Sequence, residues 1–151
     1  MIRERFAGDL KEAIKARDPK RVSTLRLIMA AIKDRDIAAR TEDNTEGVGD
    51  PEILAILGKM IRQRQESARA YEEGGRLDLA DQERAEIVII QDYLPRQLTD
   101  TEVDRAVSAA IAETGAASIR DMGKVMGLLK ARHTGQMDFS RVGATLKQTL
   151  R

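Results

Sequence analysis

All three prolines of the chain stand where a helix-periodic run of apolar residues begins or ends. The first run has apolar residues at spacings of three and four, which predicts an amphipathic helix: Ile2, Phe6, Leu10, Ala13 and Ile14. In Asp18-Pro19 and again in Asp50-Pro51, the aspartate is placed to cap a new helix and the proline to occupy its first turn. Pro95 forbids continuation of a helix that precedes it.

The whole chain is predicted to be helical, with no strand-like alternation of useful length. Gly74-Gly75 separates a third and a fourth helix, which must form an antiparallel hairpin because the turn is short. After Pro95, capping residues predict three shorter helices, which begin near Thr99, Ser118 and Asp138. We therefore predict an all-α fold, with a four-helix N-terminal lobe over residues 1–95 and a three-helix C-terminal lobe over residues 96–151. The polar segment 41–49 predicts an exposed, mobile loop.

Composition narrows the class of protein. The chain has no cysteine, which excludes disulfides, thiolate catalysis and cysteine-based metal sites. No apolar run is long enough for a signal peptide or a membrane span, so we expect a soluble, cytoplasmic protein without a membrane partner. Residues 1–94 hold 17 basic and 19 acidic side chains, whereas residues 95–151 hold 9 and 6. The C-terminal lobe is therefore the better candidate for binding an anion such as RNA.

Two charged residues fall inside apolar helix faces when the third and fourth helices are projected at about 100° per residue. Arg64 lies in the apolar arc of the third helix, and Glu83 lies in that of the fourth. Both are roughly ten residues from Gly74 along the two arms of the hairpin, so they should face each other. We predict an Arg64–Glu83 ion pair that fixes helix register; a functional charged site is the alternative.

Two patterns are candidates for nucleic-acid binding. On the second helix, Arg26, Lys33 and Arg40 recur at seven-residue intervals, which suits either a solvated face or a track for phosphates. In the segment 121–130, Gly123 and Gly127 share one helix face at a cost of up to about 1 kcal/mol each relative to alanine. Either another helix or a ligand backbone should approach them closely, and cations lie nearby at Lys124, Lys130 and Arg132.

Enzyme chemistry has little sequence support. Gly123-Lys124 lacks the earlier glycine and the following serine or threonine of a phosphate-binding loop. His133, the only histidine, stands in a turn rich in threonine and glycine, which favours a helix-end role over a catalytic or metal-binding one. No serine has an elbow motif. We predict no catalytic residue, no metal and no cofactor in the isolated chain.

Several motifs, in this order, resemble the YqeY family, whose members are stand-alone relatives of the tail region of the GatB component of aspartyl/glutamyl-tRNA amidotransferase. The resemblance spans essentially the whole chain. Its strongest segments are RQRQES at 62–67, the stretch 75–86, Tyr93-Leu94-Pro95 and MGKVMG at 122–127.

The resemblance implies helical lobes in the order predicted above and a link to tRNA, which the tail of the multidomain relative helps to hold during glutamine-dependent amidation. It also implies carbon–nitrogen ligase activity, with glutamine as amide donor, for the complete assembly. We therefore expect a tRNA-binding accessory module without a self-contained active site, with tRNA and amidotransferase subunits as partners. The alternatives are a component of an assembled ligase and a protein-interaction module that binds no RNA.

Overall fold

The computed structural model describes residues 2–42 and 45–150, and these residues form seven α-helices and no strand. The all-α prediction is confirmed. The helices are α1 (Ile2–Lys15), α2 (Pro19–Ala38), α3 (Asp50–Glu73), α4 (Leu77–Gln91), α5 (Asp100–Thr114), α6 (Met122–Arg132) and α7 (Phe139–Thr149), with a 3₁₀ turn at Ile119–Asp121 before α6.

The chain divides into two compact units, Met1–Leu94 and Pro95–Arg151. The first unit holds α1 to α4 around an aliphatic core that is completed by Phe6 and Tyr93. The second holds α5 to α7 around a smaller core that includes Val125, Leu129 and Leu146. That residues 1–95 and 96–151 are separate domains stays a prediction.

Side-chain capping sets the start of three helices. The Asp18 carboxylate accepts the backbone N–H of Arg21 at 3.2 Å, and Pro19 is the first residue of α2. Thr99 and Glu102 form the expected reciprocal capping box at the start of α5. Asp138 caps α7 through the backbone N–H of Ser140 at 3.0 Å. These caps satisfy backbone donors that the first turn of a helix leaves without partners.

One predicted cap was wrong. Asp50 is the first residue of α3, and the N-cap is Gly49, which has no side chain to accept a hydrogen bond from the first turn. The preceding Val48 is buried, and its N–H is held by the Asp36 carboxylate, so tertiary contacts fix how the chain enters this helix.

The same contacts correct the prediction for the loop at 41–49. Arg3 donates two hydrogen bonds to the Asp36 carboxylate, at 2.7 and 2.8 Å, and a third to the carbonyl oxygen of Val48 at 2.7 Å. Asp36 accepts the Val48 N–H at 2.8 Å. We call this four-bond arrangement the Arg3 clasp. It ties the end of the loop to α1 and α2, so the segment is not exposed throughout; Asp43 and Asn44 lie outside the described residues.

Gly47 lies next to the Arg3 clasp. Its backbone has φ +88, a left-handed conformation that favours glycine. A Cβ at this position would lie 2.7 Å from Oδ1 of Asp36. Glycine is therefore needed both for the conformation and for the space next to the carboxylate.

Tyr93, at the end of α4, is anchored to α1. Its buried ring lies 4.6 Å from the ring of Phe6, and the Arg5 guanidinium is 4.9 Å from the ring centre. The hydroxyl donates a hydrogen bond to the Asp9 carboxylate. Burial, followed by the contact with Asp9, raises the pKa of Tyr93 to about 12.

Candidate nucleic-acid interface

Helix α6 carries most of the residues predicted to contact RNA. Its inner face is buried through Val125 and Leu129, which are 0% and 1% exposed. Gly123, Lys124, Gly127 and Lys130 are all exposed on the rest of the helix surface. The structure therefore brings the predicted glycines and lysines onto the solvent-facing surface of a firmly packed helix.

Within residues 2–42 and 45–150, no neighbour accounts for the two glycines. An added Cβ at Gly123 or Gly127 would meet nothing within 4 Å among the described residues. A close helix crossing, which the sequence left open as one explanation for these glycines, is therefore wrong within the described chain. The glycines leave a strip of bare helix backbone between the lysines, and each still costs up to about 1 kcal/mol relative to alanine.

Arg132, at the end of α6, is already paired. It forms an ion pair with Glu113 of α5 and donates a second hydrogen bond to the same carboxylate at 3.2 Å. The hydrogen bond from Arg132 lowers the pKa of Glu113. The charge of Arg132 is thus partly neutralised, and its side chain links α6 to α5.

The 3₁₀ turn before α6 is held by a capping box of Ser118 and Asp121. Asp121 accepts the backbone N–H groups of Ala117 at 3.0 Å and Ser118 at 3.4 Å, and these bonds lower the pKa of its carboxyl group. Sequence reasoning missed Arg120, which is exposed in the 3₁₀ turn. Its position four residues before Lys124 was the signal that could have placed it beside the same surface.

His133 has a structural environment at the end of α6. Its backbone N–H bonds to the carbonyl oxygen of Leu129 at 2.8 Å, and Nδ1 lies 3.2 Å from Oε1 of Gln136. Gln136 also donates to the carbonyl oxygen of Arg96 at 3.1 Å. The histidine therefore sits in a hydrogen-bonded turn that joins the chain after α6 to the segment before α5.

The second candidate pattern, on α2, is exposed as a whole: Arg26, Lys33 and Arg40 all face solvent. Arg40 lies one residue beyond the C-cap of the helix. The stripe is not purely basic, because Ile37, three residues before Arg40, is 60% exposed. It combines cations with apolar surface.

The predicted partner of Arg64 was wrong. Arg64 bonds through Nε to Oε2 of Glu86 at 2.7 Å, not to Glu83, and the two side chains are 13% and 18% exposed. Arg64 also donates to the carbonyl oxygen of Met60 at 3.2 Å. Burial raises the pKa of Glu83, with Glu86 adding to the effect and Arg64 opposing it, so Glu83 is a neighbour of the bridge.

The error came from the assumed centre of the hairpin. Because α3 ends at Glu73 and α4 begins at Leu77, the midpoint of the hairpin is position 75 instead of 74. Residues 64 and 86 are each eleven positions from that midpoint. Glu83 and Glu86 are three residues apart on one helix face, so the projection found the face but chose the wrong turn.

No group of three or more histidine, cysteine, aspartate or glutamate side chains within residues 2–42 and 45–150 is arranged to hold a metal ion. Over the same residues, no helix is both long and apolar enough to cross a membrane.

Comparison with known proteins decides the family. The family model described as "Yqey-like protein" matches residues 3–150. The chain belongs to the YqeY family. The match covers both units, so the YqeY pattern includes the hairpin of α3 and α4 as well as α6.

Relatives of this YqeY family member include "Altered inheritance of mitochondria protein 41, mitochondrial" from three organisms. The protein of Lachancea thermotolerans is 33% identical over 107 residues, which are 70% of this chain and 55% of the relative. That of Vanderwaltozyma polyspora is 30% identical over 121 residues, 76% of this chain and 63% of the relative. That of Clavispora lusitaniae is 38% identical over 88 residues, 57% of this chain and 47% of the relative. The chain thus spans about half to two thirds of the length of these relatives.

Proposed function

We propose that this YqeY family member is an accessory module that binds tRNA through the exposed surface of α6, without an active site of its own. The observation that carries the proposal is the open backbone at Gly123 and Gly127 between Lys124 and Lys130. A strip without side chains lets a sugar–phosphate backbone approach the helix closely, and flanking lysines supply cations for phosphates.

The charge of the second unit supports its choice as the RNA-binding unit. Residues 95–151 carry 9 basic against 6 acidic side chains, and Arg132 and Glu113 cancel as a pair. Lys124, Lys130 and Arg120 remain exposed around the glycine strip. A small basic patch of this kind predicts contacts with phosphates and not with base edges, so we expect weak sequence preference. The α2 cations stay a prediction as secondary RNA contacts.

The test is a binding titration of the full chain with tRNA at several salt concentrations. Removal of one lysine–phosphate contact should reduce the slope of log K against log salt by about 1. The double variant Lys124→Glu/Lys130→Glu should therefore lower affinity by at least about tenfold at low salt and flatten the slope by about 2.

The matched control is Lys147→Glu, which reverses one exposed lysine charge on α7 and is compared with the single variant Lys124→Glu. Affinity that falls equally in the control would mean that only net charge matters. Binding that is absent, or independent of salt, would contradict the proposal, because phosphate contacts release counterions.

The accessory role has its own test. We propose that any part in glutamine-dependent amidation requires amidotransferase subunits, as the family relationship to the GatB tail implies. The purified chain should release no ammonia from glutamine above background. Ammonia release that survives repurification of the chain would overturn the accessory role and favour a catalytic one.

The compartment does not decide between these outcomes. The names of the three relatives place those proteins in mitochondria, whereas the sequence predicted a cytoplasmic location for this chain. The proposed tRNA binding is compatible with either compartment, because tRNA is present in the cytoplasm and in the mitochondrial matrix alike.

A further inference from the structure

An open groove of about 750 Å³ lies where α1 ends and α2 begins. Its apolar lining includes Ile14, Val22 and Leu27. Ile14 is 50% exposed and Leu27 is 44% exposed, and neither belongs to the core of the first unit. Helical periodicity predicts that Ile14 is on the buried side of α1, so its exposure here is a departure from the sequence pattern.

Two arginines border the apolar lining. Arg17 and Arg26 both line the groove, and neither has an ion-pair partner among the described residues. The one acid in the lining, Asp18, has its carboxylate bonded to the backbone N–H of Arg21 at 3.2 Å, as the cap of α2. Its charge is directed at the helix N-terminus, so the groove presents uncompensated positive charge beside apolar surface.

Arg17 holds its place at a cost to stability. Its φ of 56 lies in the left-handed region, and among the described residues Arg17 is the one residue other than glycine with a positive φ. The N–H of Arg17 donates to the carbonyl oxygen of Ile14 at 3.1 Å, and the N–H of Asp18 donates to the carbonyl oxygen of Ala13 at 3.1 Å. Glycine is the residue that this helix-ending turn favours. A strained position that carries a cation at the edge of a groove points to a role for the side chain.

The combination of cations and apolar side chains continues along α2. At about 100° per residue, Arg26, Ala30, Lys33 and Ile37 fall within an arc of roughly 60°. All four are exposed, and Ile37 is 60% exposed. Alternating cations and apolar side chains thus extend the surface of the groove along α2, at about 1.5 Å of helix per residue.

We propose that the groove between α1 and α2 docks an amphipathic helix of a partner protein, whose apolar side chains cover Ile14 and Leu27 and whose carboxylates pair with Arg17 and Arg26. A helix fits because its apolar ridge packs into the groove between two others while its acidic flanks reach the arginines of the lining. Positive charge in the lining selects an acidic partner and rejects a basic one.

The composition of the groove favours protein over the other polyanions. The apolar lining is aliphatic, whereas single-stranded nucleic acid is held by aromatic side chains on which bases stack. Surfaces that insert into lipid carry aromatic or bulky apolar residues on an exposed helix face, and this apolar surface is concave. The groove is in the first unit, so the proposal stands whether or not α6 binds tRNA.

The test begins with a displayed library of helical peptides selected on the full chain. The selected peptides should share apolar residues at i, i+4 and i+7 and flanking glutamate or aspartate. Binding of a labelled selected peptide is then measured by fluorescence anisotropy. Leu27→Glu should weaken binding by at least about tenfold, because it places a carboxylate in the apolar contact and beside the acids of the peptide.

Arg17→Gly is the more discriminating variant. It removes the cation and the backbone strain together, so it should weaken binding by about fivefold while the midpoint of thermal unfolding stays equal or rises. The matched control for Leu27→Glu is Val88→Glu, which makes the same kind of change at an apolar residue of α4 that is 60% exposed. The affinity for the peptide should be the same in Val88→Glu as in wild type.

Several results would overturn the proposal. The selection could enrich no helical peptide, the enriched peptides could bind Val88→Glu and Leu27→Glu equally, or glutamate-to-lysine versions of the peptide could bind as well as the originals. Displacement of the peptide by single-stranded RNA or by phosphatidylserine vesicles, in a manner sensitive to Leu27→Glu but not to Lys124→Glu, would assign the groove to nucleic acid or to lipid instead.

Discussion

Replacing Asp36 with asparagine tests whether the Arg3 clasp stabilises the first unit. Asparagine has the same shape, and its amide oxygen can still accept the Val48 N–H that Asp36 accepts at 2.8 Å. The substitution therefore removes the negative charge opposite Arg3 and, because the amide NH2 donates where Oδ2 accepts, also the hydrogen bond from Nη1 of Arg3. It keeps the loop contact, so its effect measures the Arg3–Asp36 pair as a whole.

The size of the effect follows from the pKa of the carboxyl group. The hydrogen bonds from Arg3 lower the pKa of Asp36 from 3.8 to about 2. At about 1.36 kcal/mol per unit, this shift corresponds to an upper limit of roughly 2.5 kcal/mol at neutral pH. The side chains of Arg3 and Asp36 are 34% and 23% exposed, so solvent screening reduces the contribution. We expect Asp36→Asn to lower the free energy of unfolding by about 1 to 1.5 kcal/mol.

The pH dependence has a definite sign. The folded-state pKa of Asp36 is lower than the unfolded one, so the stabilisation is fully present well above pH 3.8 and is lost as pH falls toward 2. The difference between wild type and Asp36→Asn should be constant from neutral pH to about pH 5 and shrink below that.

Tyrosine fluorescence during urea unfolding is a suitable assay. The chain has two tyrosines, Tyr71 and Tyr93, and no tryptophan, so the signal reports on the first unit alone. Asp34→Asn, at an exposed site on the same helix, is the control and should change stability by less than about 0.5 kcal/mol. Equal stability of Asp36→Asn and wild type, or a difference that persists undiminished near pH 2, would show that the Arg3–Asp36 ion pair does not stabilise the unit.

Three further substitutions probe the bridge, the anchored tyrosine and the open helix. Arg64→Met leaves the Glu86 carboxylate without its partner and should cost about 2 to 3 kcal/mol in urea unfolding, most of it recovered by Arg64→Met/Glu86→Leu; an undiminished stability of the single variant would contradict the pairing. Tyr93→Phe removes the hydroxyl bond to Asp9, which should cost about 1 kcal/mol in urea unfolding and remove the share of the tyrosinate absorbance that Tyr93 contributes near pH 12. Gly127→Ala, with open space for its Cβ, should stabilise the chain by about 0.5 to 1 kcal/mol in thermal unfolding, and a decrease in stability would reveal a hidden contact.

Features that depend on near neighbours in sequence were predictable. The caps at Asp18, Thr99 and Asp138 join groups two or three residues apart, so residue type and spacing suffice to find them. The turn at Gly74-Gly75 is of the same kind. The apolar periods predict which side of most helices is buried, because burial follows the period of about 3.6 residues.

Features that join distant segments were not predictable in the same way. The clasp joins Arg3 to Asp36 across 33 positions, and the acidic composition of the loop near Val48 gave no sign of it. The 50% exposure of Ile14 depends on which helices pack against α1, which periodicity does not specify. The open surface at Gly127 likewise depends on which described helices pack against α6 and which do not.

Residue order alone was enough to specify an all-α chain, most of its helix ends and its membership of the YqeY family, because these depend on local capping, period and motif order. The packing of the helices set the partner of Arg64, the burial of Val48 and the bare strip on α6. Each of these depends on the distance between helices, and a shift of one turn, about 5.4 Å, changes which side chains meet.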